Sequence, residues 1–74
     1  MPLTDELHNR VRELREAQGW TQLHLAERMG VSRKTVNTIE NGVFAPSALV
    51  AMKMARALGK PVDDIFWLAG SSDP

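Results

Sequence analysis

The chain has 74 residues, of which 43% are hydrophobic and 24% are charged, and its formal net charge is zero. This length fits one small domain and excludes an enzyme built from a catalytic core and a second, ligand-binding domain. The lack of cysteine excludes disulfides and thiolate metal sites. No apolar run approaches the roughly 20 residues of a membrane-spanning helix, and the first ten residues lack the apolar core of a signal peptide, so we expect a cytoplasmic protein.

Five short helices are predicted, and the first of them runs from a Thr4 cap to Gly19. Leu7, Val11 and Leu14 recur at i, i+4 and i+7, which places them on one face of that helix. No segment shows the sustained alternation of a β-strand. The sequence therefore predicts an all-α domain over residues 1–69, followed by a flexible tail over residues 70–74.

The second and third helices form the most informative segment. Thr21 and Ser32 are expected to cap them, Gly30 to reverse the chain between them at positive φ, and Asn41-Gly42 to end the third. Small and apolar residues lie where the two helices must touch: Leu25, Ala26, Met29, Val31, Val36 and Ile39. This pattern predicts a helix-turn-helix, a motif whose second helix enters the major groove of DNA.

Fewer sequence features mark the fourth and fifth predicted helices. Ser47, after Pro46, is expected to cap a fourth helix that ends at Leu58 before Gly59. A fifth helix is predicted over VDDIFW, residues 62–67, opened by Pro61 and with two acids in its first turn.

The third helix carries polar side chains on the face opposite its apolar one. Arg33 and Lys34 lie in its first turn and can donate to guanine, Asn37 can pair with adenine, and Thr38 can meet a thymine methyl group or a phosphate. Cations at a helix N-terminus oppose its dipole, so stability alone does not favour them there. These four residues are the predicted base contacts, and the alternative is a solvated polar face.

Three phrases carry a family resemblance: VRELREAQGWTQLHLAERMGVSRKTVNTIENG, APSALVAMKMARALG and VDDIFWL. Over residues 7–67 the chain resembles the Cro/C1-type, or XRE-type, regulators of transcription, especially a compact subgroup that is little more than a DNA-binding domain. The resemblance implies a lambda-repressor-like fold and a structural ion pair between Arg15 and Glu40. Leu23 and His24 depart from the pattern, because the family usually has exposed polar residues there.

Phosphate contacts are expected at both ends of the motif. The resemblance implies them for Gln22 and Asn41. Thr21 and the free amides of the second helix form a natural anion site, and Ser32 is a secondary candidate. Arg10 and Arg12 are expected to touch the flanking backbone from the first helix, unless they belong to a solvated face.

The apolar run at the C-terminus predicts a homodimer. A short helix cannot turn Ile65, Phe66, Trp67 and Leu68 all inward, so the last three are the predicted dimer interface. We expect a repressor that binds double-stranded DNA at a palindromic operator, without catalysis, cofactor, metal or small-molecule effector. The alternatives are the antitoxin of a toxin–antitoxin pair and a protein-interaction module that keeps the fold.

Overall fold

The computed structural model describes residues 6–43 and 45–69. In this part of the chain, five helices and one two-stranded sheet follow one another. Their bounds are β1 (Leu7–Asn9), α1 (Val11–Ala17), α2 (Gln22–Met29), α3 (Arg33–Glu40), α4 (Ala48–Leu58), α5 (Val62–Ile65) and β2 (Phe66–Leu68). The predicted five-helix architecture, with a helix-turn-helix at the second and third helices, is confirmed, and a small sheet is added to it.

The start of the first helix was predicted wrongly. It begins at Val11, and the preceding residues form β1. Asn9, the last residue of β1, fixes the start of α1, because its side-chain oxygen accepts a hydrogen bond from the Val11 amide at 3.0 Å while its amide group donates to the Ile39 carbonyl at 3.0 Å. The predicted Thr4 cap lies outside the described residues.

The end of the fifth helix was also predicted wrongly. The helix stops at Ile65, and Phe66–Leu68 continues as β2. This strand pairs with β1 in antiparallel register, so that Asn9 lies opposite Phe66 and Leu7 opposite Leu68. In β2, Phe66 faces the core and Trp67 faces outward, as successive residues of a strand do. The predicted tail over residues 70–74 is not among the described residues.

The caps of α2, α3 and α4 are those that the sequence predicts. The hydroxyl groups of Thr21, Ser32 and Ser47 each accept a hydrogen bond from the amide three residues later, at 3.0–3.2 Å. Gly30 ends α2 at φ 76° and Gly59 ends α4 at φ 68°, both in the left-handed region that favours glycine. These caps fix the lengths of the elements that carry the site.

The core gathers one apolar face from each helix. Ala26 is fully buried, as expected for a position where only a methyl group fits between two helices. The buried apolar side chains are Val11, Leu25, Ala26, Met29, Val36, Ile39, Met54, Leu58, Ile65 and Phe66.

Within residues 6–43 and 45–69, no helix is long and apolar enough to cross a bilayer.

Candidate nucleic-acid interface

Helix α3 rests on the core through one face and exposes the other. Val36 and Ile39 are buried at a spacing of three residues, and Ser32 caps the helix. Arg33 and Lys34, in the first turn, are exposed. The apolar face therefore anchors the helix, and the polar face is left to meet a partner.

The two cations of α3 have no acidic partner among the described residues, where every ion pair within 4.0 Å involves other side chains. Arg33 instead donates from Nη1 to the side-chain oxygen of Gln22, at 3.3 Å. A neutral acceptor orients the guanidinium and leaves its charge uncompensated. This is the arrangement that a phosphate or a guanine edge can use.

Gln22 links this face to the interior. Its Nε2 donates to Glu40 Oε1 at 3.1 Å, and its Oε1 accepts from Arg33 and from Asn37 Nδ2, at 3.3 and 3.4 Å. Because an ionised carboxylate can only accept, Glu40 fixes which way the Gln22 amide points. The Gln22 oxygen is therefore aimed at the exposed side of α3.

The side chain of Glu40 is fully buried and is the centre of this network. Arg15 Nε lies 2.6 Å from its Oε2, and Arg15 Nη2 and Arg12 Nε lie 3.2 and 3.3 Å from its Oε1. Burial by itself raises the pKa of Glu40, but the hydrogen bonds from Arg15, Gln22 and Arg12 and the charge of Arg15 outweigh it and hold the pKa below its usual value. The hydrogen bond between Arg15 and Glu40 also raises the pKa of Arg15.

The ion pair that the resemblance implied is thus present, and it joins three elements. Arg15 also donates from Nη1 to the Trp20 carbonyl at 2.7 Å, which ties α1 to the start of α2. Glu40 is the last residue of α3. The pair therefore sets the position of α3 relative to the rest of the motif.

The other two predicted base contacts, Asn37 and Thr38, are less exposed than Arg33 and Lys34. Asn37 accepts from Asn41 Nδ2 at 3.2 Å and donates to Gln22, so bidentate pairing with adenine must use its remaining hydrogen-bonding positions. The Thr38 hydroxyl shares its one proton between the carbonyls of Lys34 and Thr35, at 3.0 and 3.1 Å, which leaves its methyl group and both acceptor positions for DNA.

The predicted phosphate contacts lie in three places. Thr21, Gln22 and Ser32 lie at the N-termini of α2 and α3, where the hydroxyls of Thr21 and Ser32 already accept backbone amides. Arg10 does not join them, because its guanidinium lies over the Trp67 ring, 4.9 Å from the centroid. Asn41 lies just beyond the end of α3.

Arg12, which was predicted together with Arg10 to touch the DNA backbone, lies beside Asn41. Its Nη2 donates to Asn41 Oδ1 at 3.2 Å, and its side chain remains 55% exposed. Arg12 therefore places an exposed positive charge beside the predicted Asn41 phosphate contact. Arg12 and Arg15 both reach Glu40, since residues three apart are neighbours on a helix.

The unusual His24 has a structural explanation. Its ring stacks on Trp20 at a centroid distance of 5.1 Å, and its Nε2 accepts a hydrogen bond from Arg28 Nε at 3.0 Å. The Arg28 guanidinium in turn lies 4.4 Å from the Trp20 ring centroid. His24 thus belongs to an aromatic and cationic cluster on α2, whereas the neighbouring Leu23 is exposed.

The predicted dimer residues differ in exposure. Phe66 is buried in the core and is not available to a partner. Trp67 and Leu68 are 40% and 43% exposed. Because strand alternation sends Phe66 inward, the exposed apolar surface at this end is smaller than the sequence indicated.

Comparison with known proteins identifies the family. A helix-turn-helix family profile matches residues 11–65, which includes all five helices. The chain belongs to the XRE-type helix-turn-helix family. Its relatives are named as regulators of transcription, and we therefore describe it as a DNA-binding transcriptional regulator.

Three members of this family illustrate the similarity. The HTH-type transcriptional regulator YgzD of Bacillus subtilis is 44% identical over 62 residues, covering 84% of this chain and 94% of that protein. The competence pilus inhibition repressor of Acinetobacter baylyi is 38% identical over 63 residues, covering 85% of this chain and 57% of that protein. The crystal structure of the restriction-modification controller protein C.AhdI from Aeromonas hydrophila superposes with a TM-score of 0.69 at 35% identity, over 73% of this chain and 82% of that one.

Proposed function

We propose that the protein is a repressor that binds a palindromic operator as a homodimer. The observation that carries the proposal is the exposed, uncompensated cationic turn of α3, held in place from behind by the Gln22–Glu40 network. A DNA-bound domain of this size blocks access to a promoter without needing a second domain. The repressor of Acinetobacter baylyi supports this sign of regulation. The proposed function consists of DNA binding alone and includes no catalytic step.

Docking on the DNA backbone comes first in the proposed mechanism. The free amides at the start of α2, together with Thr21 and Gln22, receive one phosphate. Asn41 and Arg12, at the far end of α3, receive another. These contacts fix the register of α3 in the groove without reading sequence.

Base reading follows from the side chains that α3 then presents. Arg33 and Lys34 donate to guanine O6 and N7, and Asn37 and Thr38 contribute through the positions that their internal hydrogen bonds leave open. The Gln22 oxygen limits the directions that Arg33 can take, so less side-chain freedom is lost on binding. We therefore expect Arg33 to show the strongest preference for one base.

The zero net charge does not conflict with this proposal, because no acid lies between Arg28 and Lys34 in the sequence. The cations Arg28, Arg33 and Lys34 lie on the helix-turn-helix, whereas Asp63 and Asp64 lie in the first turn of α5. A bipolar molecule presents a positive surface to DNA whatever its total charge. Affinity is then expected to fall with salt.

Two copies are proposed because one α3 reaches too few base pairs for specific binding. A two-fold dimer doubles the contacts, and its recognition helices are then separated by about 34 Å, one turn of DNA. The partly exposed Trp67 and Leu68 supply apolar surface for the pairing.

Selection of bound duplexes from a random pool, at two salt concentrations, tests the whole proposal. We expect an enriched inverted repeat whose retention falls at the higher salt. Arg33→Ala is expected to lose about 1–3 kcal/mol of binding free energy and the preference at one base position in each half-site. Lys60→Ala, which removes an exposed cation outside the motif, is the matched control and keeps that preference. Enrichment of no sequence, or equal loss in both variants, contradicts the proposal.

A further inference from the structure

The outer face of α4 presents apolar and cationic side chains together. Leu49 and Met52 are 63% and 65% exposed, and with Lys53 and Arg56 they line one shallow depression. Their spacing of i, i+3, i+4 and i+7 puts all four on one side of the helix. We call these four residues the α4 patch.

Nothing in the fold accounts for the α4 patch. Its two cations have no acidic group within 4.0 Å in the described part of the chain. Its two apolar side chains stay in solvent while the opposite side of α4 supplies the core. An apolar pair flanked by uncompensated charges is typical of a surface that a partner covers.

The neighbouring helix α5 presents the complementary chemistry. Val62 is 36% exposed, and Asp63 and Asp64 are exposed beside it in the same turn. These acids also have no cation within 4.0 Å among the described residues, so they do not pair with the α4 patch of their own copy. We call Val62, Asp63 and Asp64 the α5 turn.

We infer that the α4 patch of one copy binds the α5 turn of a second copy, and that the two copies exchange this contact reciprocally. Leu49 and Met52 cover the partner's Val62, while Lys53 and Arg56 face the partner's acids. The inference rests on the proposed homodimer and adds a charge-complementary contact to the apolar surface that Trp67 and Leu68 supply.

Two-fold symmetry favours a second copy over another partner. In an isologous interface, a surface and its complement must lie on the same molecule, and each contact is made twice. Helices α4 and α5 pack against each other and are joined by residues 59–61, so the α4 patch and the α5 turn belong to neighbouring elements of one chain. One chain thus carries both halves of a charge-complementary contact.

Charge reversal at each surface gives two test variants. Lys53→Glu with Arg56→Glu makes both surfaces acidic, and Asp63→Lys with Asp64→Lys makes both cationic. By sedimentation, the parent chain is expected to be a dimer, and each variant alone is expected to associate at least about tenfold more weakly because like charges now meet. Circular dichroism establishes that each variant is folded.

An equimolar mixture of the two variants is the decisive measurement. In the mixed dimer both contacts join opposite charges again, so association is expected to return to near the parent level. The control partner for the acidic variant is Glu13→Lys with Glu27→Lys, which has the same net charge as the cationic variant but leaves one of the two contacts repulsive. It is expected to bind more weakly than the cationic variant does.

A cross-link tests the same contact without reversing any charge, should either variant fail to fold. The chain has no cysteine, so Met52→Cys and Val62→Cys each introduce a single thiol. A short bifunctional maleimide is expected to join the two variants in a mixture, in higher yield than it joins either variant to itself.

The outcomes separate the inference from the function on which it rests. A parent dimer with no recovery in the folded mixture, or with no preferential Met52–Val62 cross-link, overturns the α4–α5 exchange and leaves the homodimer standing. A dimer that survives both charge reversals means that other surfaces form it, and it overturns the inference in the same way. A parent chain that sediments as a monomer at high micromolar concentration overturns both, whereas salt-dependent DNA binding then still stands.

Discussion

Replacing Glu40 with glutamine tests how the buried network supports the fold. The Glu40 carboxylate accepts four hydrogen bonds from N–H groups. Three of them end on Oε1, and the fourth, from Arg15 at 2.6 Å, ends on Oε2. The glutamine NH₂ group can replace Oε2 with the loss of one contact, or Oε1 with the loss of three. In either orientation two N–H donors face each other, and Arg15 loses its counter-charge.

The structure sets the size of the effect. The Arg15 side chain is only 10% exposed, so water does not replace the lost carboxylate. Removing one partner of a buried ion pair costs about 3–5 kcal/mol. Small domains have unfolding free energies of about 5–15 kcal/mol, so Glu40→Gln is expected to fold marginally. Urea unfolding followed by far-UV circular dichroism measures the loss.

A pH series identifies the carboxylate as the cause. Because the pKa of Glu40 is lowered in the folded state, its contribution is present above the unfolded value of about 4.3 and is lost as the pH falls through the folded pKa. Glutamine does not titrate. The difference in unfolding free energy between the parent and Glu40→Gln is therefore constant near neutral pH and shrinks below about pH 4.

A matched control isolates burial from charge. Glu16 lies 4.0 Å from the same arginine, but its side chain is 64% exposed. Glu16→Gln is expected to cost less than about 1 kcal/mol, as exposed ion pairs do. Similar losses for the two variants, or a Glu40→Gln difference that persists unchanged to pH 3, refute the reasoning.

Three further substitutions have defined outcomes. Gly30→Ala is expected to destabilise the fold by about 1–2 kcal/mol, because φ is 76° there; an unchanged melting temperature contradicts this. Asn9→Ala removes the bonds to Val11 and Ile39 and is expected to cost about 0.5–2 kcal/mol, measured by urea unfolding; a smaller loss means that Asn9 does not hold the β1–α1 corner. Gln22→Ala is expected to weaken operator binding in fluorescence anisotropy more than it lowers stability, and the reverse ranking makes Gln22 purely structural.

Local signals in the chain were sufficient to predict the helix-turn-helix. Thr21 and Ser32 cap helices through atoms three residues away, and Gly30 reverses the chain through its own φ. The burial of Val36 and Ile39 follows from the helical period. Each of these features depends on neighbours within one helical turn, and such neighbours are visible in the sequence.

The predicted start of the first helix and the predicted end of the fifth were both wrong because of long-range strand pairing. Leu7 has the spacing of a helix face, yet it pairs with Leu68, which is 61 positions away. The same pairing makes Phe66 a core residue and leaves Trp67 outside. A helical period and an edge strand compete for the same few residues, and the partner strand decides between them.

The chain alone was enough for the identity of the motif, the caps of α2, α3 and α4, and the residues that α3 exposes, because these depend on spacing and on the chemistry of single positions. The folded structure decided how Arg12, Arg15 and Gln22 converge on Glu40, and where the strands replace helix. Those contacts join residues 18 to 28 positions apart in the first case and 57 to 61 apart in the second. Interactions at such separations depend on how the elements pack, which no local pattern encodes.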